Sequence, residues 1–112
     1  MEAPSGPSMS ERVKKVRARR VNSRVTIAVE WTDSQSEETR RAEGYTMDIS
    51  PKGCLAIIPQ ALTVGQELRL VNLLSGVSCP ALMIWRGHEV GKGWELGLEL
   101  VNPPMDFWDL DF

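Results

Sequence analysis

Between Val25 and Val101 the chain reads as six short segments, apolar or alternating with period two, set apart by turn-forming residues. No stretch in that span sustains a helical period. Such spacing restricts the fold to a small antiparallel barrel or sandwich. Residues 25–31 are the clearest case: Val25, Ile27, Val29 and Trp31 alternate with Thr26, Ala28 and Glu30. Residues 32–41 are polar and predict a loop. Residues 42–49 predict a second strand with Tyr45, Met47 and Ile49 on one face. Ser50-Pro51-Lys52-Gly53 is a turn signal. Further strands are predicted over 54–58, 66–73, 77–86 and 94–101. A glycine-rich hairpin loop is predicted over 87–93, and a short helix over 105–110. Closing the six strands into a barrel would remove every exposed sheet edge.

With 112 residues, 42% hydrophobic and 25% charged, the chain can bury one core without staples. Nothing in it reaches the roughly 18 apolar residues of a membrane helix, and the first residues hold no apolar signal segment. Cys54 and Cys79 are far apart and unpaired in pattern. A cytoplasmic protein with reduced thiols, no zinc site and no membrane association is expected. One His and isolated Ser and Cys assemble no general base or activated nucleophile, so no catalytic residues, no enzyme activity and no cofactor are expected.

The net charge of −2 conceals two opposed ends. Residues 10–24 carry seven Lys and Arg against Glu11 alone, a local charge of +6. Residues 99–112 carry Glu99, Asp106, Asp109 and Asp111 with no base, a charge of −4. A basic arm on a mildly acidic body fits a locally bound anion, or only a solvated tail. Residues 1–15 are expected to be a disordered tail and 16–112 the folded domain.

Two clusters carry chemistry. Arg20 and Arg24, with three residues between them, stand just before the first strand, and Asp48, Ser50 and Gly53 close the second. A guanidinium pairs bidentately with phosphate or with the O6 and N7 edge of guanine. A carboxylate at Asp48 can accept from guanine N1–H and N2–H, with the Ser50 hydroxyl on the same side at period two. Gly53 permits a positive φ and a close backbone approach. Together they describe a guanine nucleotide held without metal. Each cluster alone also fits a bland reading, a solvated basic run or an ordinary strand-end turn. Of the four Trp residues, 31, 85 and 94 are expected to fill the core or rim, and Trp108 to close a barrel end or meet a partner.

The joint pattern resembles the PilZ domain, a bacterial receptor module for the second messenger cyclic di-GMP. Arg20 and Arg24 match its Arg-x-x-x-Arg element, and Asp48, Ser50 and Gly53 its Asp-x-Ser-x-x-Gly element. The segment from Gly93 to Leu100 resembles its last strand. The resemblance spans residues 16–102. It implies an all-β, six-stranded antiparallel barrel with a flexible basic N-terminal arm and a short C-terminal helix. The two arginines would hold phosphate and the Hoogsteen edge of guanine, Asp48 and Ser50 would read guanine, and Gly53 would shape the turn. The arm would wrap onto the barrel with the ligand and signal to an unidentified downstream protein. Lys52 and Arg17 are further candidates. Arg19, directly before the motif, is associated in the family with an intercalated ligand dimer. The additional guanidiniums at 17 and 19 suit the same arrangement, since two stacked ligands bring four phosphate charges and Arg can stack as well as pair. The alternative is a small barrel binding single-stranded nucleic acid, with the arm tracking phosphates and Trp residues stacking bases. The alternative predicts a steeper loss of affinity with salt.

Overall fold

The computed structural model describes residues 21–109; Arg17, Arg19 and Arg20 lie outside the described residues. Six strands form: β1 (Thr26–Thr32), β2 (Thr39–Ser50), β3 (Gly53–Ile58), β4 (Glu67–Asn72), β5 (Ser78–Val90) and β6 (Gly93–Leu100). They close into a barrel in the order β1-β2-β3-β6-β5-β4, and β4 pairs back onto β1. Every pairing is antiparallel. The interior is filled by one inward residue in two from each strand, among them Ile27, Val29, Ile49, Ala56, Ile58, Leu70, Met83, Leu96 and Leu98.

Two strands break their period, and both breaks shape the outer surface. The β2–β3 register shifts between Thr46 and Asp48. Thr46 and Ile49 are buried while Met47 is 39% exposed. Strict alternation from the inward Thr46 would turn Asp48 into the core. The extra residue at Met47 reverses the phase, so that Asp48 and Ser50 face outward around Ile49. Met47 therefore does not share the face of Ile49, contrary to the simple period. The second shift lies between Met83 and Trp85. It leaves Ile84 and Trp85 on the surface together, 50% and 47% exposed.

Both predicted hairpin loops are shorter than the composition suggests. β5 runs on to Val90, so His88 lies on a strand, and only Gly91 and Lys92 turn the chain into β6. Gly91 has a φ of 59°, the left-handed conformation that tight hairpins require. β2 begins at Thr39, because Thr32 pairs with Thr39 and Glu30 with Arg41. The polar run there is a charged hairpin, with Arg41 Nη1 2.6 Å from Glu30 Oε2.

After β6 the described residues make turns, and the short helix expected over 105–110 is not found among them. Phe107 N–H donates to the Pro104 carbonyl at 3.1 Å, and Asp109 N–H to Asp106 at 2.9 Å. Phe107 and Trp108 are buried with the core. They lie across the end of the barrel where β2 and β4 finish, which settles Trp108 as a barrel closure. Cys54 and Cys79 are unbridged. Burial pushes the Cys54 thiol up to about 12, with a further push from nearby Cys79, so it stays protonated at neutral pH and behaves as a small hydrophobe. No helix among the described residues is long and apolar enough to cross a membrane.

Candidate ligand-binding site

The segment from Val21 to Val25 is hooked onto β2 before β1 begins. Val21 N–H donates to the Ile49 carbonyl at 2.8 Å, and Ile49 N–H donates back at 2.9 Å. Thr46 N–H donates to the Val25 carbonyl at 2.9 Å. The buried Thr46 hydroxyl completes the hook, accepting from Val25 N–H at 2.8 Å and donating to the Ser23 carbonyl at 2.7 Å. The last residues of the arm are thus fixed in register on β2, where the sequence suggests a loose arm as far as Arg24. Val21, next in sequence to Arg20, sits opposite Ile49, between Asp48 and Ser50.

Arg24 is exposed, and its guanidinium carbon lies 4.4 Å from the centroid of the Tyr45 ring. That cation–π contact holds the guanidinium against the barrel. Tyr45 pairs with Ile57, and Asp48 pairs with Leu55. Ile57 and Leu55 share the outer face of β3, since Ala56 and Ile58 point into the core. Arg24, resting on Tyr45, therefore stands on the same outer face as Asp48, since Tyr45 and Asp48 both point outward from β2.

An open groove of about 490 Å³ runs over this face. Asp48, Ser50 and Lys52 form one wall, from the bulged β2 and the turn after it. Leu55 and Gly97, register partners on β3 and β6, form the floor. Ile84 and Trp85, from the bulged β5, form the other wall. Gly97 keeps the floor open, because a Cβ there would stand 3.1 Å from Trp85 Cβ. Sequence pattern assigned Trp85 to core or rim filling. Its exposure follows from the bulge at Ile84, which no residue type announces. The groove's volume falls within the range of small-molecule sites, and its mixture of apolar floor and polar wall is typical of them.

Gly53 is buried at the start of β3 and pairs with Glu99. A Cβ there would lie 2.3 Å from the Leu98 carbonyl oxygen. Its φ is not in the left-handed region, unlike Gly65, Gly76 and Gly91. Of the two reasons for a glycine, close backbone approach holds and positive φ does not. Among the described residues the Ser50 hydroxyl makes only a contact at the outer limit of hydrogen bonding, 3.5 Å from the Gly53 carbonyl. Lys52 is exposed at the turn and lines the groove. Among the described residues no group of three or more His, Cys, Asp and Glu could hold a metal ion.

Comparison with known proteins agrees with this architecture. Searches of the curated proteins and of the solved structures return no match. A family model for the PilZ domain matches residues 15–109, which takes in both sequence elements and all six strands. With its closed six-stranded antiparallel barrel, the chain belongs to the PilZ domain family, whose members are receptors for cyclic di-GMP.

Proposed function

We propose that this chain is a sensor that binds cyclic di-GMP in the groove between β2 and β5 and passes a change in arm and surface conformation to a partner protein. The observation that carries the reading is that Arg24, Asp48 and Ser50, from two separate sequence elements, share one outer face beside that groove. Arg20 and Arg24 hold phosphate and the O6 and N7 edge of guanine. Asp48 accepts from guanine N1–H and N2–H, and the Ser50 hydroxyl has capacity for a further hydrogen bond. Lys52 adds a cation at the mouth, and Gly53 lets β3 approach β6 so that the turn keeps its place. Calorimetric titration with cyclic di-AMP beside cyclic di-GMP tests the guanine-reading role of Asp48. Clear preference for the guanine ligand is expected, and equal affinity for the two would remove that role.

The arm holds more guanidiniums than one ligand needs. Arg20 and Arg24 already match the two phosphate charges of a single cyclic dinucleotide. Arg19 and Arg17 suit a second molecule stacked on the first. The chain is therefore expected to bind cyclic di-GMP as an intercalated dimer, two molecules per chain, falling to one in Arg19→Leu. Saturation of the unmutated chain at one molecule would leave Arg19 without a ligand role.

A further inference from the structure

We infer that Trp108 is a positioning residue for the ligand site, holding the turn that carries Ser50 and Gly53; the inference rests on the cyclic di-GMP reading above. Trp108 is 58 positions from Ser50 in sequence, yet its indole Nε1–H donates to the Ser50 carbonyl at 2.9 Å. The residue is only 5% exposed, so this donor has little access to water and depends on its protein acceptor.

The turn needs outside support. Pro51 has no N–H to contribute, and the Ser50 hydroxyl reaches the Gly53 carbonyl only at 3.5 Å. Support comes from the C-terminal side at two points. Trp108 holds the Ser50 carbonyl, and Leu100 N–H donates to the Lys52 carbonyl at 2.8 Å. On the other side Val21 is paired to Ile49. Ser50 is thus fixed between the hooked arm and the C-terminal closure.

Trp108 is itself firmly seated. Phe107 packs edge-on against it, with centroids 4.9 Å apart and planes at 86°. The Phe107 carbonyl accepts from Asn72 Nδ2 at 3.0 Å, and Asn72 Oδ1 accepts from Leu74 N–H at 3.0 Å. Any rotation of the Ser50 peptide on ligand binding must strain or tighten the Trp108 contact. Loss of the Nε1–H bond to the Ser50 carbonyl therefore weakens the ligand, whereas a change in the closure that leaves this bond in place does not.

Trp108→Phe keeps an aromatic ring in the seat and removes the Nε1–H. It is expected to weaken cyclic di-GMP binding about threefold to tenfold, the factor that one ordinary hydrogen bond converts to. Phe107→Leu loosens the same closure without touching Ser50, and at a comparable loss of melting temperature it should keep the affinity of the unmutated chain. In the unmutated protein the Trp108 indole N–H resonance should shift and exchange more slowly on saturation with cyclic di-GMP. Three results overturn the positioning role: unchanged affinity in Trp108→Phe, equal losses in the two variants, or an indole resonance indifferent to ligand. Failure of the unmutated chain to bind cyclic di-GMP would instead overturn the ligand assignment beneath it.

Discussion

The Arg20→Ala/Arg24→Ala double variant is expected to bind cyclic di-GMP at least about a hundredfold more weakly than the unmutated chain, with its barrel intact. Charge-assisted hydrogen bonds contribute about 1.5–3 kcal/mol each, and a guanidinium on phosphate or guanine makes two. At about 1.4 kcal/mol per factor of ten, loss of even one such pair reaches the expected range. The fold should hardly notice the change at Arg24. That guanidinium is exposed and rests on the face of Tyr45, a contact worth about 0.5–1 kcal/mol at such sites. The hook beneath it is made by Val21, Ser23, Val25 and Thr46, through backbone groups and the Thr46 hydroxyl. Calorimetry and a thermal melt, run side by side, separate the two effects. Full binding by the double variant would falsify the assignment of the site.

Gly53→Ala is expected to act the other way round, on stability before ligand. Its Cβ would fall 2.3 Å from the Leu98 carbonyl oxygen, a backbone atom that moves only if β3 and β6 part. Overpacking of this kind costs about 1–3 kcal/mol and sometimes more. For a domain of this size that is a fall in melting temperature of roughly 5–20 °C. Gly65→Ala is a useful contrast, because nothing lies within 4 Å of the added Cβ and only its φ of 95° is strained. That substitution should cost less. If Gly53→Ala melts like the unmutated protein yet loses cyclic di-GMP, the glycine serves the ligand directly and the strand-contact account is wrong.

How much of this was readable in advance depends on the distance over which each feature is determined. The strands were legible because alternation is a local property: Leu68, Leu70 and Asn72 are buried in β4 while Glu67 and Arg69 are exposed. The chemistry of the site was legible for a similar reason, since Arg24, Asp48 and Ser50 are polar residues at the borders of apolar strands. The bulge at Met47 was not: simple alternation puts Tyr45 and Met47 inward with Ile49, whereas the extra residue leaves both outward, with Asp48 and Ser50 still on the outer face. Nor could sequence show the hook on the arm, because it runs through one threonine hydroxyl 21 and 23 positions from its partners. Among the described residues 105–109 the expected C-terminal helix is not found, and the chain there makes turns. Phe107 and Trp108 are buried against the barrel end, their places fixed by Asn72 and Ser50 on other strands. The place of Trp85 on the outer wall was not legible either, because it comes from the register shift between Met83 and Trp85.

The most direct test of the central claim is a calorimetric titration of the unmutated chain with cyclic di-GMP, with GTP as the control ligand in the same buffer and salt. Cyclic di-GMP should give a saturable isotherm that ends at two molecules per chain, and GTP should give no comparable heat. Absence of binding by cyclic di-GMP, or binding of GTP with equal affinity, would contradict the assignment of this groove to the cyclic dinucleotide.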